Sequence, residues 1–216
     1  MYLNLMGKSK DRYILTGEAM DEKVAFEVAK SFKFKLAFLR LHKFLLHAYL
    51  GHYEYCSKYA LERGDGLKKD TPSSPFLPSE AFHRGLALLA MARKTKSRVY
   101  KTAAKKPVAQ IKNWFKQGNP NVKHYEALLD AEMAALDGQH LLAEHHYDIA
   151  ILLAARDGYV HVATIACERY GRYLLEERSN QDAGEFQIKQ AFKYCREWGA
   201  FGKLEMLQEE FPHLQY

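Results

Sequence analysis

From Asp21 onward, apolar residues recur at intervals of three and four, and no segment sustains a two-residue alternation. Val24, Phe26 and Val28, with Ala25 and Ala29, open a run that continues through Leu36, Phe38, Leu39, Leu41, Phe44, Leu45, Ala48 and Tyr49. This spacing gathers most of them on one broad helical face and predicts a long amphipathic helix up to Gly51. His52–Arg63 resumes the pattern as a second helix, which Gly64-Asp65-Gly66 stops. Asp70–Pro78 holds three prolines and two serines with no periodicity, and predicts a loop. Ser79 then has the position of an N-cap for a helix carrying Phe82, Leu86, Leu88, Leu89 and Met91. Pro107 predicts an interruption of the following helix, or a new helix begun at its first turn. Gly118-Asn-Pro-Asn121 ends that pair. Further helices are predicted over Val122–Leu136, Gln139–Arg156, Val160–Glu177, Asp182–Trp198 and Phe201–Glu210. The expected class is all-α.

Composition narrows this without redirecting it. The chain has 216 residues, 48% apolar and 27% charged, with six prolines and thirteen glycines. Those values exclude a turn-rich all-β fold and a disordered chain. Three cysteines, Cys56, Cys167 and Cys195, stand far apart and outside any CxxC pattern, so buried reduced thiols are expected. Uncharged apolar runs such as Ile149–Ala155 are far short of the ~20 residues that span a bilayer. Met1–Gly7 is followed at once by Lys8, Lys10, Asp11 and Arg12, a poor match to a targeting peptide. A cytoplasmic chain is expected.

The second half repeats itself. Ala143, Tyr147, Ala150 and Ala154 are spaced four, three and four apart, and Gly184, Ile188, Ala191 and Cys195 repeat that spacing forty-one residues later. Each set is small–large–small–small on one helical face, which lets a neighbouring helix approach closely. Gly138 precedes the first set where two antiparallel helices would turn, and Gly51-His-Tyr53-Glu-Tyr-Cys56 shows a similar arrangement earlier. A helix–turn–helix unit with small residues at these offsets resembles the tetratricopeptide repeat, in a degenerate form that lacks the usual Trp and Leu-Gly of the first helix. The period of about 41 to 43 also exceeds the usual 34.

The run from His124-Tyr-Glu-Ala to Glu132, then Leu136-Asp-Gly138, Tyr147-Asp-Ile-Ala-Ile151, Glu168-Arg169, Glu177-Arg178 and Trp198-Gly199-Ala200 with Lys203 extends the likeness. Over Trp114–Phe211 the chain resembles the helical-repeat region of signalling proteins that join a protein kinase, an AAA-type (STAND-class) ATPase, such a solenoid, and often GAF and histidine-kinase or cyclase domains. The resemblance implies an α-solenoid of about four degenerate tetratricopeptide-like hairpins plus a C-terminal capping helix. These would form a single domain over 1–216, with hairpins near 21–63, 79–117, 121–156 and 159–198 and a loop over 64–78. It also implies a non-enzymatic scaffold, free-standing or covalently linked to ATPase or kinase domains in a longer protein. The phosphate loop, the kinase catalytic loop and any Cys–His sensor pattern are missing from the sequence, so no catalytic residue is carried over.

Charge then singles out one stretch. Eleven Lys and Arg lie between Phe82 and Tyr125 with no acidic residue, leaving 21 basic against 26 acidic elsewhere; the net +6 originates here. Lys94, Arg98, Lys101 and Lys105 would form one stripe on a continuous helix, and Trp114-Phe115 between Lys112 and Lys116 supplies an aromatic neighbour. Arg93, Lys94, Arg98, Lys101, Lys105, Trp114, Lys123 and Tyr125 are therefore the candidate partner-binding residues. First helices of each pair would line the groove, so Lys123, Tyr125, Glu126 and the 79–93 helix form the expected contact surface. The leading reading is a solvated face balanced by Glu132, Asp137 and Glu144; among partners the favoured one is protein, through an acidic segment. Nucleic acid or an anionic membrane is a weaker alternative, because aromatic interleaving is sparse. A metal-dependent enzyme ranks last: His140, Glu144 and Asp148 share an i, i+4 face that any solvated helix can show. No catalytic, cofactor or metal residue is expected.

Overall fold

The computed structural model describes residues 1–18 and 20–214. Among them run twelve α-helices, packed as sequential antiparallel pairs. The chain divides into two compact units, Met1–Pro107 and Val108–Tyr216.

The N-terminal unit holds α1 (Tyr2–Leu5), α2 (Glu22–Ala29), α3 (Lys33–Tyr49), α4 (Tyr53–Arg63), α5 (Gly66–Asp70) and α6 (Leu77–Thr95). It also holds the start of α7 (Arg98–Lys116). Its core is built around Leu41, Phe44, Leu45, Ala48, Cys56, Leu67 and Ala87. Residues 80–93 of α6 are buried without exception: 85–92 are apolar all round and the helix packs against α3, α4 and α5, while the buried Glu80 and Arg84 pair with each other. The first twenty residues, for which the sequence offers no periodicity, are fastened by polar contacts. Lys43 donates to the Tyr13 carbonyl at 2.7 Å and pairs with Glu22 at 2.7 Å, while Leu15 N–H donates to Glu22 at 2.6 Å. The Tyr13 ring stacks on His47. Burial, then the charges of Lys43 and His52, push the His47 imidazole down to about 3.

The C-terminal unit continues α7 and adds α8 (Lys123–Leu136), α9 (His140–Arg156), α10 (Val160–Glu177), α11 (Gln181–Trp198) and α12 (Phe201–Glu210). One turn geometry recurs: a glycine at positive φ ends a helix, and the next N–H reaches back five residues to a carbonyl. Asn119 reaches Trp114 at 3.1 Å, Gln139 reaches Ala134 at 2.9 Å, Tyr159 reaches Ala154 at 2.8 Å and Ala200 reaches Cys195 at 2.9 Å. This closure suits glycine, which lacks the Cβ that strains a left-handed residue. His52 and His47 make the same bond at 2.8 Å after α3.

Both repeated sets lie where close approach requires them. Ala143, Tyr147, Ala150 and Ala154 are fully buried, as are Gly184, Ile188, Ala191 and Cys195. A Cβ on Gly171 would meet the Ile188 side chain at 2.8 Å and the Gly184 carbonyl at 3.0 Å. One on Gly184 would lie 2.6 Å from Leu175. Hence α10 and α11 approach almost backbone to backbone.

Two buried ionic networks tie the unit together. Arg169 grips Glu132 in a bidentate pair at 2.7 and 2.9 Å, and the Tyr147 hydroxyl donates to the same carboxylate at 2.9 Å. Glu168 is paired with Lys203 at 2.5 Å and with Arg172 at 3.1 Å, and Arg172 also pairs with Glu210. Burial alone would raise the Glu168 carboxyl, but Lys203 and Arg172 outweigh it and hold it at about 2.

Several expected boundaries move. The run expected as one helix over 24–49 breaks at Lys30–Phe32, where Ser31 is a weak interior helix residue and Phe32 turns extended, so α2 folds back along α3. The expected 64–78 loop contains α5, and α6 begins at Leu77 with Pro78 in its first turn. A first-turn proline gives up no hydrogen bond, so Ser79 lies inside the helix and caps nothing. Pro107 sits within α7 instead of ending it, at the boundary between the two units. By contrast, expected helix limits over Val122–Glu210 hold to within a residue.

Candidate functional site

An open apolar feature lies in the N-terminal unit, between α2 and α3. Asp21 accepts from the Val24 N–H at 3.0 Å and so fixes the start of α2. The break at Lys30–Phe32 then sets α2 beside α3, and a groove of about 500 Å³ opens between them. It is lined by Val28, Phe34, Lys35, Phe38, Leu39 and His42, with Ala25 and Ala29 at its base. Val28 is 59% exposed and Phe34 61%, so both groups stand largely open to solvent. Val24 and Phe32 extend the apolar surface. Aromatic contacts hold the walls: Phe34 lies 4.6 Å from Phe38, and Phe38 meets Phe76 edge-on at 5.9 Å. His42 Nδ1 lies 2.7 Å from the Phe38 carbonyl, which fixes its ring at the far end. The sole charged lining group is Lys35, with its ammonium 4.5 Å from the Phe32 ring centre.

The expected basic stripe is cut at one point. α6 ends at Thr95, Lys96 adopts a left-handed conformation, and Arg98 starts α7, so Lys94 lies on α6 while Arg98, Lys101 and Lys105 share α7. Arg93 is buried, at 6% exposure. Lys94, Arg98 and Lys105 are exposed, and Lys101 is half-buried. Trp114 is half-buried in the C-terminal unit, where Lys123 is exposed but Tyr125 is 7% exposed and packs on His124. Of the residues expected at the contact surface, Tyr125 and 80–93 are buried, Glu126 is half-buried and Lys123 is exposed.

Part of the basic stretch is neutralised within each unit. Arg84 pairs with Glu80 at 3.0 Å and Asp65 at 3.3 Å, Lys106 pairs with Asp65 at 2.5 Å, and Lys112 pairs with Asp130 at 2.7 Å. Burial lifts the Glu80 carboxyl to about 7 despite Arg84. Two of the acidic groups expected to balance the stretch have other tasks: Glu132 holds Arg169, and Glu144 holds Arg178 at 2.9 Å.

The chemically reactive residue types are committed to packing. His140 Nδ1 lies 2.7 Å from the Tyr173 hydroxyl, and no three potential metal ligands converge among the described residues. Burial pushes the Cys167 and Cys195 thiols up to about 12. No helix among the described residues is long and apolar enough to cross a membrane.

Sequence reasoning missed the groove because it gathered most apolar residues of 24–49 on one face of a single helix. A signal was present: Val24, Ala25, Phe26, Val28 and Ala29 are apolar around most of α2, more than a short outer helix can bury. Comparison of the chain with protein-family models, curated proteins and solved structures gives no match.

Proposed function

We propose that the chain is a non-enzymatic, tetratricopeptide-like helical-repeat scaffold for protein–protein interaction, of the kind that serves as the regulatory solenoid in ATPase–kinase signalling proteins. The repeated small–large–small–small sets and the recurrent glycine closure support the repeat reading. One observation carries the binding role: Val28 and Phe34, both exposed, line one apolar groove between α2 and α3. Exposed contiguous apolar surface of this sort marks recognition sites in soluble proteins. A helical segment laid into such a groove would bury its own apolar stripe against Phe34, Phe38 and Leu39.

Peptides displayed on phage can be selected on the intact chain and counter-screened on the Val28→Asp variant. Selected peptides should carry apolar residues at helical spacing and lose binding to the variant. Recovery only of peptides that bind both proteins equally would sink the scaffold reading of this face.

A further inference from the structure

The groove and its surroundings differ in chemistry. Its lining is apolar at Ala25, Val28, Ala29, Phe34, Phe38 and Leu39. Along α2 and α3 the carboxylates are already engaged: Glu22 with Lys43, Glu27 with Lys30, and Asp21 on the α2 N-terminus. Lys23, Lys33 and Lys35 are exposed and make no ion pair among the described residues. Two of them sit badly for the fold alone. Lys33 and Lys35 occupy the first turn of α3, which has no acidic residue and no side-chain cap. Cations there face the positive end of the helix dipole, where carboxylates are favoured. Local conflict of this type, beside an open apolar groove, fits a surface completed by a partner's negative charge.

Resting on the reading of this groove as the docking face, we propose that its occupant is an acidic amphipathic helix of a partner protein. The partner's apolar stripe would lie on Val28, Phe34 and Phe38, and its carboxylates would reach Lys33 and Lys35. The eight residues of α2 span about 12 Å, enough to cradle two to three turns. Charge sets orientation and encounter rate, while apolar burial supplies most of the affinity. A second copy of this chain is the poorer occupant, since each copy carries a net +6.

The test uses three helix-stapled peptides that share one Leu/Phe stripe and differ only in a polar face of Glu, Gln or Lys. Fluorescence anisotropy against the full chain should show the Glu peptide binding about tenfold tighter than the Gln peptide, with the gap narrowing as salt rises. The double change Lys33→Glu and Lys35→Glu should erase that preference and leave Gln-peptide affinity in place. Val28→Asp should abolish binding of all three. Equal binding of the Glu and Gln peptides overturns the acidic partner but keeps the groove as a docking face. No binding, or binding indifferent to Val28→Asp, overturns both. Sedimentation that shows self-association lost in Val28→Asp would assign the groove to a second copy and overturn the proposal.

Discussion

The two units solve helix pairing differently. In the C-terminal unit, Gly171 and Gly184 bring α10 and α11 into backbone contact, and buried carboxylates tie α8 to α10 and α10 to α12. In the N-terminal unit, the short α2 lies against α3 through Ala25 and Ala29 and leaves Val28 and Phe34 uncovered. One pair is closed by small residues and cannot admit another element; the other stays open. The difference teaches that small residues alone do not close a pair. Closure also needs enough helix length on both sides, eighteen residues each for α10 and α11 against eight for α2.

The contrast is most easily broken in the closed unit. Both tryptophans, Trp114 and Trp198, belong to it, so tryptophan fluorescence during urea unfolding reads this unit. Arg169→Leu strands the buried Glu132 carboxylate and should cost about 3–5 kcal/mol. An effect below about 1 kcal/mol would mean that the pair does not tie α8 to α10.

Acid should also loosen this unit. His124 is fully buried between the Tyr125 and Tyr159 rings; burial, followed by the nearby His161, depresses its imidazole to about 4 from an ordinary 6.5. The unfolded chain therefore binds a proton that the folded one refuses, and stability is lost as pH falls from about 6.5 toward 4. The loss attributable to His124 should be about 2–3 kcal/mol, and His124→Phe should remove it. Unfolding midpoints of the variant and parent with equal pH dependence would contradict this. Separately, Gly184→Ala inserts a methyl against Leu175 and should cost about 1–3 kcal/mol.

These residues show why some of the fold was legible and some was not. Ala143, Tyr147, Ala150 and Ala154 and their counterparts advertise close packing through size alone, and glycines mark every turn they occupy, so helix limits beyond Val122 could be read. The break at Ser31 has no glycine or proline to announce it, and Ser79 resembles a cap while Pro78 performs the start. The candidate site fared worse. Net charge counts residues wherever they point, and it could not distinguish buried Arg93 from exposed Lys94 one position later. Pairs such as Lys106–Asp65, forty-one residues apart, depend on tertiary neighbours that periodicity does not supply.

A turn within the closed unit offers a smaller test of the same packing. Ser179 takes φ of 50° between α10 and α11, where the analogous turns use glycine. Asn180 N–H still reaches the Leu174 carbonyl at 2.9 Å, so the turn is kept at some backbone strain. Ser179→Gly relieves that strain but adds freedom to the unfolded chain, leaving a net gain of about 0.5 kcal/mol. A loss of stability would show that Ser179 does more than turn the chain.

The smallest effect is expected in the open pair, and it sharpens the comparison most. Val28→Asp places a charge where a methyl pair stood, a harsher chemical change than the single methyl of Gly184→Ala. Yet Val28 is 59% exposed, so the carboxylate stays hydrated and no cavity or buried charge results. Lys35, which lines the same groove, could partly neutralise it. Thermal unfolding followed by circular dichroism should therefore move by less than the equivalent of about 0.5 kcal/mol. If Val28→Asp destabilised the chain as much as Gly184→Ala, Val28 would have to be packed in solution, and α2 and α3 would form a second closed pair. If it leaves stability intact while peptide binding disappears, the apolar surface of α2 is held for a partner rather than for the fold.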